Sequence, residues 1–206
     1  MKMIAATRNR HKLEEFARML EPLGFSLVSQ EEVCPGLEVE EDGETFAENA
    51  RKKALAIFRR TGLPAIADDS GICVDALGGA PGVHSARYAD DESGGHDDKA
   101  NNRKLLRELE GVPAEGRGAA FVAAICCAFG EGDLVECQGL CRGTVAFREE
   151  GDNGFGYDPL FLVEDGRSFA QLTGEEKDRI SHRGNALRQL YALLKEREAA
   201  KTGEEK

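Results

Sequence analysis

The chain has 206 residues, 41% of them hydrophobic and 32% charged, which is typical of a globular domain that folds without disulfide bonds. Its net charge of −11 argues against a broad non-specific surface for nucleic acid or for anionic membranes. A phosphorylated small molecule is not excluded, provided that basic residues cluster locally.

The cysteine and histidine spacings do not indicate a metal site. The six cysteines include no Cys-x-x-Cys pair, and the four histidines are scattered. We expect reduced, structural thiols, because four of the cysteines fall in runs that resemble strands. The one apolar run near the N-terminus, residues 3–6, is too short for a signal segment or a membrane span. The sequence therefore predicts a cytoplasmic protein that binds neither membrane nor nucleic acid.

A polar, basic loop follows the first predicted strand and precedes a helix with apolar residues at helical spacing from Leu13 to Leu20. A loop in that position suits phosphate, because backbone N–H groups, the helix dipole and side-chain cations act together. An N-cap followed by a solvated basic turn explains the same residues without a ligand. The loop residues considered as phosphate ligands are Thr7, Arg8, Asn9, Arg10, His11 and Lys12.

An acidic loop, residues 38–44, precedes a second helix. A capping box of Thr45 and Glu48 marks the start of this helix, and Gly62 marks its end. The acidic loop is either a solvated turn or a set of cation ligands that act with a carboxylate elsewhere. Lys53 lies one residue from the apolar stripe of the helix, so its side chain can reach a neighbouring cleft.

Two adjacent carboxylates, Asp68 and Asp69, follow a short apolar run and precede Ser70 and Gly71. Successive strand residues point to opposite faces, so one carboxylate can face a ligand while the other orients it or caps a turn. Carboxylates in such a position hold Mg²⁺ against phosphate oxygens. An ordinary exit from strand to turn is the alternative.

The patterns in the middle of the chain predict a rigid Gly-Pro loop over residues 78–82, a helix over 99–110 and a β-hairpin with strands over 119–129 and 134–140. A glycine-rich loop over residues 151–159 and a further strand over 160–163 follow. Phe155 is flanked by glycines on both sides, which leaves a face of its ring open. The ring is either a core residue or a platform that stacks on a planar ligand, and the glycines favour stacking.

The C-terminal part offers several hydrogen-bond donors. Lys177 lies just inside a second capping box, and His182 and Arg183 precede a long final helix. No acid is fixed in the sequence to orient His182, so these residues do not form a nucleophile, base and acid triad. We expect the charged tail, residues 195–206, to fray.

Together these features describe a cleft for a nucleoside polyphosphate with a metal. Six motifs follow one another over nearly the whole chain, namely Thr7-x-Asn9-x-x-Lys12, Thr45-Phe46-x-Glu48-Asn49-Ala50, Ala67-Asp68-Asp69-Ser70-Gly71, Gly78-Gly79-Ala80-Pro81-Gly82, Gly154-Phe155-Gly156-Tyr157-Asp158-Pro159 and Ser181-His182-Arg183-Gly184. In this order they resemble the motifs of the inosine triphosphate pyrophosphatase or Ham1-like family.

The resemblance implies an α/β fold with an elongated, twisted mixed β-sheet, flanking helices and two lobes around a central cleft. All 206 residues would form this single two-lobed domain. It further implies a homodimer, a requirement for Mg²⁺, and hydrolysis of the small molecules ITP, dITP or XTP to the monophosphate and pyrophosphate.

The resemblance also implies roles for residues. Asp69 would be the general base and, with Glu41 and the adjacent Glu40, the metal site. Phe155 would stack on the base. The substrate contacts implied beyond the first loop are Lys53, Ser70, Phe155, Gly156, Tyr157, Asp158, Lys177, His182 and Arg183. Arg8 departs from the family pattern, since many relatives have glycine there, and it adds charge to the phosphate loop.

Two other functions are compatible with parts of the sequence. Maf-like pyrophosphatases cleave the same bond in other modified nucleotides, but the Phe155 loop and the Ser-His-Arg motif argue against them. A nucleotide-binding module without turnover is the second alternative. The presence of Asp69, Lys53 and the acidic loop argues against it.

Overall fold

The computed structural model describes residues 1–203, and the chain forms two compact units. The first unit comprises Met1–Asp69, Ala123–Gly139 and Arg183–Lys206, and the second comprises Ser70–Val122 and Leu140–His182. Within residues 1–203, no helix has the length and apolar character needed to cross a bilayer.

Six strands form one sheet in the order β2-β1-β3-β4-β5-β6. They are β1 (Lys2–Ala5), β2 (Ser26–Ser29), β3 (Ala65–Val74), β4 (Gly118–Ala128), β5 (Leu134–Val145) and β6 (Phe161–Leu162). β1 is parallel to both β2 and β3, with Ile4 opposite Val28 and Ala65, whereas β5 and β6 are antiparallel. This combination confirms the predicted mixed α/β fold.

The described residues contain seven α-helices. They are α1 (Arg10–Leu20), α2 (Gln30–Val33), α3 (Phe46–Thr61), α4 (Asp90–Ser93), α5 (Asp98–Glu108), α6 (Gly174–Ile180) and α7 (His182–Gly203). Both predicted capping boxes are present, with the Thr45 side chain accepting from the Glu48 N–H at α3 and Thr173 accepting from Glu176 at α6. α3 ends at Gly62, whose φ of 68° is the left-handed conformation that glycine adopts without strain.

The core of the first unit has two apolar layers, because alternate residues of β1 face opposite sides of the sheet. Met3 belongs to a cluster with Phe16 of α1 and Leu190 of α7. Ile4 belongs to a different cluster, with Ala54 of α3. The alternation in β1 therefore separates α1 and α7 from α3.

Three aromatic rings form the centre of the second unit. Phe121 lies 4.8 Å from Phe161 and 5.7 Å from Phe169, measured between ring centroids. The loop over residues 78–82 packs closely against β3, since a Cβ on Gly71 would lie 2.5 Å from the Gly82 carbonyl oxygen. Only a glycine in β3 permits that approach.

All six cysteines are free thiols, and four of them are buried, namely Cys34, Cys126, Cys127 and Cys137. Burial raises the pKa of Cys126 and of Cys137 to about 12, so both remain neutral thiols near pH 7.

Several boundaries differ from the predictions. β3 continues through Asp68 and Asp69 to Val74, so there is no exit to a turn at these carboxylates, and β5 extends past the predicted residue 140 to Val145. β6 is shorter than the predicted strand over residues 160–163, because Leu160 belongs to the 3-10 turn Asp158–Leu160. The predicted tail from Lys195 is helical as far as Gly203, where α7 ends. Within it, Arg197 donates to Asp133. Residues 204–206 of that tail lie outside the described residues.

Candidate active site

Asp68 anchors a buried ionic network in the first unit. The Lys12 Nζ atom lies 3.1 Å from Asp68 Oδ1, and Arg183 Nη2 lies 2.8 Å from Asp68 Oδ2. Arg183 also donates to Glu15 of α1. Burial alone would raise the pKa of Asp68, but Arg183 and Lys12 hold it well below its usual range. Asp68 is therefore a permanent anion that orients two cations.

Asp69 contacts a different set of side chains. Asn49 Nδ2 donates to Asp69 Oδ2 at 3.0 Å, and Lys53 Nζ lies 3.4 Å from Asp69 Oδ1. Lys53 also donates to Glu41 Oε2 at 2.9 Å. The two adjacent aspartates thus have separate partners, as the alternation of a strand requires.

The electrostatics distinguish the two carboxylates next to Lys53. Burial raises the pKa of Asp69, and the opposing charges of Lys53 and Lys12 do not fully offset it. Burial also acts to raise the pKa of Glu41, but Lys53 holds it below the usual value. Asp69 is consequently a better proton acceptor than a free aspartate.

Glu41 and Asp69 together fit a magnesium ion. Their carboxylate oxygens, which are hard ligands, lie on both sides of the Lys53 ammonium group. The position between the two carboxylates therefore accommodates a positive charge. Mg²⁺ is commonly held by one or two carboxylates together with substrate phosphates. Glu40 is exposed, and no group of three or more His, Cys, Asp and Glu side chains suited to a metal occurs within residues 1–203.

The predicted phosphate loop forms the N-terminus of α1. Asn9 is the N-cap, and its side-chain oxygen accepts from the backbone N–H groups of His11 and Lys12. Thr7 Oγ1 accepts from the Asn9 N–H at 3.1 Å. Among the contacts described above, Lys12 is the one predicted loop ligand that reaches the Asp68 network. It precedes the buried residues Glu15 and Phe16 on α1.

Two other residues of this loop, Arg8 and Arg10, form ion pairs with acidic side chains outside the Asp68 network. Arg8 is ion-paired with Glu31 at 2.7 Å and with Glu38 at 3.1 Å, so its additional charge is locally neutralised. Arg10 pairs with Glu14 on the exposed side of α1. His11 is exposed.

The Phe155 loop lies in the second unit and contains a buried ion pair. Lys177 Nζ donates to Asp158 Oδ2 at 2.7 Å, and both side chains are almost fully buried. The same carboxylate oxygen accepts from the Phe155 N–H at 2.9 Å. Lys177 Nζ also lies 4.9 Å from the centroid of the Phe155 ring. A half-buried aromatic ring, a cation and a carboxylate are therefore brought together.

His182 and Tyr157 are more deeply placed. The His182 ring stacks on Phe121 at a centroid distance of 4.7 Å and an interplanar angle of 11°. Tyr157 is buried in the core, and its hydroxyl donates to the Ser85 carbonyl oxygen at 2.8 Å. Ser70, which follows Asp69 in β3, is half-buried.

Two residues of the first-unit networks had no predicted role. Asn49 occurs in one of the recognised motifs and is fully buried, where it holds Asp69 and also accepts from the Gly43 N–H. The sequence offered one sign of this role: Asn49 is a polar residue directly beside the buried Ala50 on α3. Glu15 carried a weaker signal, since it stands one helical turn after Lys12 and next to the buried Phe16.

Comparison with known sequences gives one family over nearly the whole chain. The profile described as the Ham1 family matches residues 3–193. The protein "dITP/XTP pyrophosphatase" of Desulforamulus reducens is 50% identical over 195 residues, which cover 94% of this chain and 96% of the relative. The protein of the same name from Geobacter sulfurreducens is 50% identical over 196 residues, covering 95% of each chain.

Comparison with solved structures agrees. A HAM1 protein from Coxiella burnetii matches with a TM-score of 0.85 and 40% identity, covering 95% of this chain and 99% of that one. A structure titled nucleoside-triphosphatase or dITP/XTP pyrophosphatase, from Mycobacterium abscessus, matches with a TM-score of 0.73 and 48% identity. That match covers 92% of this chain and 98% of the other.

Proposed function

Because this chain belongs to the Ham1 family, we propose that it hydrolyses the non-standard purine nucleotides ITP, dITP and XTP to the monophosphate and pyrophosphate. The observation that carries this proposal is the environment of Asp69. Its carboxylate is held by Asn49 on one oxygen and by Lys53 on the other, beside Glu41. A carboxylate whose two oxygens are fixed in this way is suited to orient a water molecule and accept its proton.

Residues of the first unit can supply the groups that the proposed hydrolysis requires. A water oxygen bonds to the α-phosphorus, the bond from that phosphorus to the bridging oxygen breaks, and pyrophosphate leaves. Asp69 orients the water and receives its proton. Lys12 and Lys53 stabilise the negative charge that develops on the phosphates. Thr7 and Asn9 donate hydrogen bonds to phosphate oxygens.

The proposed metal site consists of Glu41 and Asp69, with Glu40 adjacent in sequence. When bound, Mg²⁺ would neutralise phosphate charge and lower the pKa of a coordinated water. Lys53 would then move its contact from the two carboxylates to the phosphates.

Base recognition is assigned to the second unit. Phe155 would stack on the purine, and Lys177 would donate to the oxygen that hypoxanthine and xanthine carry at C6. Adenine presents an amino group there, so the Lys177 ammonium group would face another donor and lose that hydrogen bond, and a lost hydrogen bond of this kind can discriminate on the order of 10⁴-fold. Guanine shares the C6 oxygen, so it would have to be rejected at its 2-amino group.

Arg183 has a different proposed role from direct base contact. Its guanidinium is 2% exposed and is shared between Asp68 and Glu15, so it acts on the substrate through the orientation of Lys12. A homodimeric assembly and a cytoplasmic location complete the proposal, and both rest on the resemblance to the family.

The decisive experiment measures pyrophosphate and orthophosphate release from ITP, XTP, ATP and GTP, with Mg²⁺ and with a chelator. We expect pyrophosphate from ITP and XTP only, and only with the metal. Orthophosphate would mean attack at the terminal phosphate and would refute the mechanism. Turnover of modified pyrimidine triphosphates instead would favour a Maf-like activity, and binding without any release would favour a module without turnover.

A further inference from the structure

α5 contacts both polar groups of one residue in the Phe155 loop. Asp98 Oδ2 accepts from the Gly156 N–H at 2.9 Å, and Asn102 Nδ2 donates to the Gly156 carbonyl oxygen at 3.1 Å. Asp98 and Asn102 are four residues apart, so they lie one turn apart on the same side of α5. The backbone of Gly156 is therefore fixed on both its amide and its carbonyl side by a single helix.

The Asn102 side chain is buried and uses its amide group to hold Gly156. It is 2% exposed, and Nδ2 also donates to Glu149 Oε1 at 2.7 Å. Both N–H groups of the amide are thus used, one of them on the loop. A hydrogen bond at a buried group is costly to leave unmade, so α5 strongly favours one position of the Gly156 backbone.

The restrained backbone belongs to the residue next to the proposed platform. On its other side, Phe155 donates its own N–H to Asp158, whose carboxylate is paired with Lys177. The φ of Gly156 is +60°, a conformation that glycine adopts without strain, and a glycine backbone has little conformational restriction of its own. Contacts on both sides of Phe155 are therefore needed to hold its ring in one orientation.

We propose that Asp98 and Asn102 are positioning residues for base recognition, which they serve by fixing the backbone that carries Phe155. This inference rests on the proposed function. Under this proposal, part of the affinity for the purine depends on α5, although no side chain of α5 contacts the base. Loss of either contact should weaken binding of the purine and leave the handling of the phosphates unchanged.

The kinetic test uses Asp98→Ala, Asn102→Leu and the conservative variant Asp98→Asn, which retains an acceptor oxygen. We expect the KM for ITP to rise roughly fivefold to tenfold in the first two variants, the effect of losing about one hydrogen bond, with kcat nearly unchanged. Inhibition by inorganic tripolyphosphate, which has no base, should be unchanged. Asp98→Asn should restore a KM close to that of the original chain.

Asp97→Ala is the matched control. Asp97 is the N-cap of α5 and accepts from the Lys99 N–H, so its loss weakens the same helix without touching Gly156. It should lower the thermal stability and leave the KM for ITP unchanged. A KM increase in Asp97→Ala equal to that in Asp98→Ala would overturn the proposal, because a general weakening of α5 would then explain both.

Hydrogen exchange at the Gly156 amide separates this inference from the proposed function. Protection should fall in Asp98→Ala and return in Asp98→Asn, whether or not the chain hydrolyses any nucleotide. If no purine triphosphate is hydrolysed, the proposed function fails, and Kd values for ITP and tripolyphosphate replace KM and inhibition in the same comparison. Unchanged Gly156 protection, or equal losses for ITP and tripolyphosphate, would overturn the positioning role.

Discussion

Lys12 and Asp68 form an ion pair of 3.1 Å in which the carboxylate is completely buried. Arg183 contacts the other oxygen of the same carboxylate, so one anion orients a cation from α1 and a cation from α7. Asp68, the residue beside the proposed general base, is therefore occupied by two cations of the protein itself. It orients Lys12 and Arg183.

Asp68→Asn tests this arrangement. The substitution removes the charge and leaves two buried cations without their shared partner, so we expect the free energy of unfolding to fall by about 3 kcal/mol or more. Chemical denaturation measures the change. Asp165→Asn removes an exposed partner of Arg167 and serves as control, with little expected change. Similar small losses for both variants would contradict the central role of Asp68.

Asp69→Asn separates catalysis from binding. Asparagine cannot accept the proton of the attacking water, so we expect kcat for ITP to fall by about 10²-fold or more. Nucleotide affinity, measured by calorimetry, should remain measurable because Lys12 and Lys53 are intact. Asp42→Asn is the control, since Asp42 is an exposed carboxylate of the same acidic loop paired with Lys52. Near-normal turnover by Asp69→Asn would refute the assignment of the base.

Phe155 can be tested by fluorescence as well as by affinity, because the chain contains no tryptophan. In Phe155→Trp, ITP should change the emission of the single tryptophan, and tripolyphosphate should not. Phe155→Ala should weaken ITP binding by about 1–3 kcal/mol and leave pyrophosphate binding unchanged. The control is Phe147→Ala, which removes a ring that is 65% exposed in the same unit. Equal losses for ITP and pyrophosphate in Phe155→Ala would identify a core residue.

Gly154→Ala tests the close packing of the loop against Asp158. A Cβ on Gly154 would lie 2.1 Å from Asp158 Oδ2, so the carboxylate that holds Lys177 must move. Gly166 has a similar φ, +82° against +78°, but nothing lies within 4 Å of its added Cβ. Gly166→Ala should therefore show only backbone strain, about 1 kcal/mol. Gly154→Ala should cost more stability and also raise the KM for ITP. Matching effects in the two variants would show that the Asp158 contact is unimportant.

Several features were determined by the sequence alone, because each depends on neighbours within one turn or one strand. The capping box of Thr45 and Glu48 and the terminal Gly62 located α3, and both are hydrogen-bonding or backbone properties of a few consecutive residues. The alternation of faces in a strand predicted that Asp68 and Asp69 have different roles. The order of the six motifs predicted the family.

Only the tertiary structure decided which polar groups meet. Arg183 is 115 residues from Asp68 and 168 from Glu15, and α5 holds Gly156 across separations of 54 and 58 residues. A local sequence pattern indicates that a residue is polar and which face of its helix or strand it occupies. It does not indicate which distant side chain pairs with that residue. In the sequence, Arg183 is one of several polar residues that can donate to a substrate, whereas in the structure it is buried between Asp68 and Glu15. Burial requires that the charge of Arg183 be paired within the protein, and its two carboxylate partners favour a supporting role for it.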